Sequence, residues 1–303
     1  MEAINFDVEN ARLLENVAES FSGHHWCKRE YSILSPGDRL RSGWEKFKHV
    51  VQHLRRYTFW MDHSDYYGES EFHPDFLSPS MMLKELEAAI VSMDLVRTLP
   101  VGTEFWRLRI HSDMEPLGKA EDLTPPPIEC AIQPNRMSPA GIPMFYGASD
   151  WETAFAEVVD SDDLVNQSVT GAAFSSIQEI SVLDLVDIPD IPGFFAKSGH
   201  KHRHALAFLH YFTDDLSKPI ERDRRPHIDY VPTQVFTEYI RFEFERAIET
   251  KIDGIIYSSS RNGGTCCVLF ITKENCLPKN GPRGAEQIME FVPSTLRLEN
   301  TAK

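Results

Sequence analysis

The sequence predicts an α+β protein: an all-α N-terminal domain over residues 1–99, an α+β domain over 100–278 and a C-terminal extension over 279–303. Three observations predict it. Apolar residues recur at helical spacing through the first third of the chain. After Thr103 alternating, strand-like runs mix with helical ones. Between the two, Pro100 and Gly102 punctuate the chain and mark the boundary near Leu99–Gly102. A chain of 303 residues has room for about two domains.

The elements follow in order. Asn10–Ser20 carries Ala11, Leu14 and Val17–Ala18 on one helical face. Trp44–Trp60 repeats Trp44, Phe47, Val50–Val51 and Leu54, and Ser80–Leu99, with Ser80 as cap, repeats Met81–Met82, Leu86, Ala89–Ile90 and Met93. The turn-rich Asp62–Pro79 between them reads as a loop. In the second domain Glu104–Ile110 alternates, with Trp106, Leu108 and Ile110 on one side and Phe105, Arg107 and Arg109 on the other. Met144–Ala148 is a short strand, and Ser149-Asp-Trp-Glu152 a capping-box pattern opening a helix to about Val159. Ile180–Val186 is another strand, and Thr233–Thr250 a long amphipathic helix with Thr233 as cap. Gly254–Ser259 and Thr265–Ile271 form a hairpin around Arg261-Asn-Gly-Gly264. The tail after Pro278 reads as partly irregular.

Composition excludes several classes. With 42% hydrophobic and 25% charged residues the chain is neither disordered nor membrane-spanning. The acidic first twenty residues lack the basic start and apolar core of a signal peptide, so a cytoplasmic protein is expected. Thirty-one Lys and Arg face 46 Asp and Glu, a net charge of −15, which argues against DNA or an anionic membrane as partner but not against a small anion in a locally basic cleft. The acid is concentrated: Asp150–Pro192 holds ten acidic residues and no Lys or Arg. Five cysteines without a CxxC pair fit reduced thiols, and neither a disulfide scaffold nor a metal site is expected.

The chemistry gathers in Asn135–Val158, NRMSPAGIPMFYGASDWETAFAEV. Arg136 lies in a Pro/Gly-rich loop, Tyr146 ten residues on in a strand, and Glu157 eleven further in the capped helix. Singly, each such residue is most often structural: a surface arginine, a core tyrosine, a solvated glutamate. Together, in this order and context, they resemble the Arg–Tyr–Glu set of RES-domain proteins. Gly254-Ile-Ile-Tyr257-Ser-Ser259-Ser-Arg261 resembles that family's later Tyr-Pro-Ser-x-Arg block, with Ser258 in place of the proline and Ser259 on the family's serine. Phe105-Trp106-Arg107 resembles its aromatic–Arg opening.

The resemblance implies an ADP-ribosyltransferase-like RES domain that attacks NAD+. Family members are mostly bacterial toxins depleting NAD+ by phosphorolysis or hydrolysis, and one is reported to ADP-ribosylate a protein. NAD+ is then the substrate, with no further cofactor. Inorganic phosphate is a co-substrate in the phosphorolytic case, and a neutralising antitoxin or regulatory protein is the expected partner. The residue types suit the reaction. Glu157 stabilises positive charge developing on the ribose. Arg107 and Arg136 match a pyrophosphate by charge-assisted hydrogen bonds. Tyr146 offers an aromatic face and a hydroxyl, Ser259 a hydrogen bond to phosphate or ribose. Tyr257 and Arg261 join the binding set, and Arg261 or His227 supplies the cation for a phosphate co-substrate.

Weaker signals stay open. His200-Lys-His202-Arg-His204 reads as a mobile basic loop over the cleft rather than a metal site, and His24-His25-Trp26-Cys27 supports no metal either. Gln234 and Glu238 read as the polar face of an ordinary helix start. The N-terminal helices resemble the HEPN-like domain fused to some RES proteins, and offer a surface for homodimerisation. Arg56 and His63 have the spacing of a HEPN ribonuclease pair, but the domain reads as an interaction or regulatory module. Protein ADP-ribosylation, a HEPN ribonuclease and an NAD+-sensing binding module remain as alternatives.

Overall fold

The computed structural model describes residues 11–22, 33–61, 77–112, 117–159, 167–193, 196, 198–218, 225–277, 284 and 286–300. Helix α1 spans Ala11–Phe21, α2 Pro36–His49 and α3 Pro79–Ser92. The expected helix Trp44–Trp60 is thus shifted: α2 begins eight residues earlier, with Ser35 as cap accepting the Asp38 N–H (3.2 Å), and ends in a wide turn over Val50–Leu54. The expected helix Ser80–Leu99 stops at Ser92. Asp94 turns the chain with φ +52°, and β1 (Val96–Leu99) pairs as an edge strand. Its β-branched Val96 and Thr98 suit that register better than a helix end.

The sheet is mixed and, among the described residues, has ten strands. After β1 come β2 (Glu104–Ser112), β3 (Phe145–Ala148), β4 (Gln167–Ser176) and β5 (Ile180–Asp184). Then follow β6 (Gly254–Ser258), β7 (Thr265–Leu269), β8 (Cys276–Leu277), β9 (Met289–Phe291) and β10 (Arg297–Asn300). The order is β1-β5-β6-β7-β3-β2-β4-β9-β8, with β10 also on β4. Pairs β5–β6 and β8–β9 are parallel, the rest antiparallel. The tail after Pro278, expected to be partly irregular, contributes the short strands β9 and β10 to this sheet.

Among the described residues the longer helices after β2 are α4 (Trp151–Val158), α5 (Arg203–Leu216) and α6 (Val231–Phe242). The long helix expected over Thr233–Thr250 is broken. It starts at Val231 with Pro232 in its first turn, is interrupted at Glu243–Phe244, and resumes only over Glu245–Ile248 before Glu249 turns it off at φ +56°.

Strand alternation sorts side chains onto two cores. Tyr257, Cys266 and Val268 pack on the helical side, where Trp44, Phe47, Phe212 and Phe236 are fully buried. Phe145, Ile256, Cys267 and Leu269 pack on the other. Helices α2 and α3 therefore share a core with α5, α6 and the sheet. Burying each large aromatic contributes about 1.5–3 kcal/mol, so α2 is tightly docked.

Candidate active site

A cleft of about 1530 Å³ opens beside β2 and β3, larger than the roughly 300–1,000 Å³ of ordinary small-ligand pockets. Arg107, Arg136, Tyr146, Glu157, Tyr257 and Arg261 all line it. Ser259 lies just beneath, buried and bonded to Glu157. His227 is exposed and is not among the lining residues.

Helix α4 carries Glu157. Its cap is Asp150, one residue later than expected from the Ser149–Glu152 pattern. The Asp150 carboxylate accepts the Thr153 N–H (2.7 Å) and hydroxyl (3.0 Å), while Ser149 merely donates to Asp150 (2.9 Å). These bonds hold the carboxyl below its ordinary pKa against the opposing effect of burial. Two turns on, Glu157 accepts the Ser259 hydroxyl at 2.5 Å.

The β6–β7 hairpin carries Ser259 and Arg261, paired from Gly254–Leu269 to Ser258–Thr265. Gly263 takes φ +74°, a conformation costly for other residues. Gly264 passes so close to Thr153 that a side chain would collide with it. Asn262 closes the latch, donating to Thr153 Oγ1 (3.3 Å) and accepting the Gly264 N–H (3.0 Å). Ser259 Oγ in turn accepts the Arg261 and Asn262 N–H groups at 3.1 and 3.4 Å. The serine is thereby fixed as a donor to Glu157.

The Arg136 loop is pinned from α6. Gln234, buried, donates to the carbonyls of Asn135 (2.8 Å) and Ser138 (3.3 Å), and Thr233 Oγ1 donates to the Arg136 carbonyl. Thr233 and Gln234, expected to be a helix cap and an ordinary polar face, are thus supports of this loop. Tyr146 completes the hold: its hydroxyl accepts the Met137 N–H (3.3 Å) and pairs with Ser138 Oγ (2.9 Å). The Tyr146 hydroxyl therefore positions the loop, and burial pushes it up to about 12. The Arg136 guanidinium donates to the Leu216 carbonyl and sits 5.8 Å from the Tyr230 ring centre. Tyr230 also lines the cleft.

Arg107 and Arg109 approach from β2. That strand pairs with β3 only at Trp106–Ala148, and Arg107 Nη1 donates to the Tyr146 carbonyl (2.8 Å) where the ladder would continue. Arg107 Nε is buried without a hydrogen-bond partner among the described residues. Burial, then the neighbouring Arg109, push the guanidinium down to about 10. Arg109, absent from the predicted set, donates to the Thr124 carbonyl (2.9 Å) and also lines the cleft. Among the described residues four arginines, 107, 109, 136 and 261, thus line the cleft against one carboxylate, Glu157, in a chain of net charge −15. Beneath them burial raises the Cys266 thiol to about 12 and Tyr257 well above its usual value.

The RES domain profile matches residues 104–286, more than half the chain. The chain belongs to the RES domain family. Residues 1–65 match HEPN/RES N-terminal domain 1. Among solved structures, the crystal structure of the M. tuberculosis MbcT–MbcA toxin–antitoxin complex is similar at 13% identity and TM-score 0.32, over 70% of this chain and 94% of that one. No curated protein sequence matches.

Outside the cleft of the RES domain the other candidates fall apart. His200–His202 is a helical turn leading into α5, whose inner face packs on α2 and α3; it is not a loop over the cleft. His200 bonds the Ala196 carbonyl and His210 the Pro189 carbonyl. Among the described residues no group of three His, Cys, Asp or Glu could hold a metal ion, and no helix is long and apolar enough to cross a membrane. His63 and His24–Cys27 lie outside the described residues, so the Arg56–His63 pair has no geometry to weigh.

Proposed function

We propose that this RES protein cleaves the nicotinamide–ribose bond of NAD+. The observation that carries the reading is one carboxylate, Glu157, oriented by Ser259 at 2.5 Å in a cleft whose other charged lining residues, among the described residues, are arginines. Nicotinamide leaves as a neutral base, so no general acid is required. Positive charge gathers on the ribose, and a fixed carboxylate beside it stabilises that charge. Ser259, itself held by two backbone N–H groups, keeps the carboxylate in place before the reaction begins.

Arg107 and Arg136 hold the pyrophosphate by charge-assisted bonds. With its hydroxyl committed to the Arg136 loop, Tyr146 offers the ligand its ring. Arg261, at the exposed hairpin tip, is suited to a second anion such as inorganic phosphate. Water as acceptor gives ADP-ribose and a proton; phosphate gives ADP-ribose 1″-phosphate. A toxin or defence effector that depletes NAD+ in the cytoplasm and is held in check by an antitoxin follows from the same reading.

The test is chromatography of NAD+ incubated with pure protein, with and without phosphate. Nicotinamide should appear in equal amount with one of the two products. Intact NAD+ in both, at high enzyme concentration, sinks the proposal. Label left on protein after incubation of labelled NAD+ with extract would instead identify a side-chain acceptor.

A further inference from the structure

Behind the cleft, α2 and the Arg136 loop meet at the C-terminal end of α5. Asp215, in the last turn of α5, has a side chain only 11% exposed and takes three donors. Trp44 Nε1 and Lys48 Nζ reach it from α2, each at 2.9 Å, and Lys218 Nζ from beyond the helix at 2.8 Å. The next residue, Leu216, presents a carbonyl of the kind a helix end leaves unpaired, and the Arg136 guanidinium donates to it. Ser217 Oγ then donates to the Ser258 carbonyl (3.3 Å), beside Ser259.

We infer that Asp215 is a positioning residue through which α2 of the N-terminal domain holds Arg136 in the cleft. The end of α5 is the only described partner of the Arg136 guanidinium besides the Tyr230 face. That end is fixed by α2. Trp44 packs edge-on against Phe212 at 5.0 Å, and Lys48 bridges Asp215 and Glu45, the latter at 2.7 Å. Glu45 in turn accepts the Tyr211 hydroxyl from α5. A lone exposed ion pair contributes little; a largely buried carboxylate with three donors from two sides is a clamp. The N-terminal domain therefore sets the affinity of the RES cleft for a pyrophosphate-bearing ligand, besides any partner it binds.

The kinetic half of the test rests on the NAD+ reading above. Lys48→Met, Trp44→Phe and Asp215→Asn should each raise the KM for NAD+ about fivefold to tenfold while kcat stays within about twofold, since ground-state binding is what loosens. In an Arg136→Ala background the same changes should have no further effect on KM. An unchanged KM, or an equal rise in that background, overturns the inference. Side-chain ¹⁵N NMR of Arg136 tests it without turnover. Its guanidinium signals should shift or exchange faster in Asp215→Asn, and identical signals overturn the inference. If wild type leaves NAD+ intact, the proposed function falls and the NMR result alone decides. Should Asp215→Asn not fold, Lys48→Met and Trp44→Phe carry both measurements.

Discussion

The two ends of the cleft are built on opposite terms. At the Glu157 end every polar group is already engaged: Ser259 donates to Glu157, accepts two N–H groups, and sits in a hairpin latched to α4. At the Arg107 end a half-buried guanidinium has one hydrogen bond, to the Tyr146 carbonyl, the Phe145 ring at 5.3 Å, an Nε without a hydrogen-bond partner among the described residues, and a second arginine beside it. The first end is finished before ligand arrives, as preorganised transition-state stabilisation requires. The second is costly until an anion arrives. On the proposed function, chemistry and binding are separated along one groove, and substitutions at the two ends should separate turnover from stability.

The largest effect is expected at the finished end. Glu157→Gln keeps shape and can still accept the Ser259 hydroxyl, but removes the charge. Nicotinamide release should fall roughly 100-fold or more, with the melting temperature nearly unchanged. A variant that retains most activity would move the reacting centre elsewhere. Ser259→Ala should cost less, about tenfold, because the carboxylate remains.

The other end should respond in the opposite sense. Arg107→Met removes a half-buried, poorly paired charge, so the free protein should melt about 2–4 °C higher. The same change should weaken NAD+ binding about tenfold by calorimetry. If the free protein is instead destabilised, the Tyr146 carbonyl bond outweighs the burial cost and the contrast between the two ends fails.

These roles were unequally legible in the sequence. Arg136, Tyr146 and Glu157 lie within 22 residues and belong to a loop, strand and helix whose local signals are strong. Their supports do not. Gln234 reaches Asn135 across 99 residues and Asn262 reaches Thr153 across 109, so neither partner leaves a mark near the other. Strand β4, the longest among the described strands, carries no strand signal in the sequence because QSVTGAAFSS is buried on both faces and shows no alternation. The helix expected to reach Leu99 failed for a related reason: strand β1 exists only because β5 lies beside it. Arg109 shares the Phe105 side of β2 with Arg107, and both line the cleft; only the family motif, which stops at Arg107, separates the two in the sequence.

A smaller effect concerns the scaffold that both ends share. Burial alone would raise the Asp215 carboxyl, but bonds from Lys218, Trp44 and Lys48 hold it below its ordinary value. A carboxyl depressed in the folded state contributes stability above its unfolded pKa, about 3.9, and loses it as pH falls through the folded value. Wild type should therefore melt above Asp215→Asn by a constant margin between pH 6 and pH 8, about the range used for assay. The margin should close below about pH 4. A gap that persists in acid would assign the effect to packing and not to charge.

The smallest effect tests whether the finished end is finished by the hairpin latch or by the strand beneath it. Asn262 joins the turn to α4 through Thr153 and Gly264, while the β6–β7 ladder runs on from Ser258 regardless. Asn262→Ala removes the latch and leaves the ladder. Partly exposed hydrogen bonds of this kind contribute about 0.5–1.5 kcal/mol each, so stability should fall by no more than about 2 kcal/mol. Turnover should fall only a few-fold, with KM for NAD+ nearly constant, because Ser259 loosens against Glu157 while Arg107 and Arg136 keep their own supports. A KM that rises as much as kcat falls would show the hairpin tip, with Arg261, to belong to the binding end, and the line between the two ends would have to be redrawn through the turn.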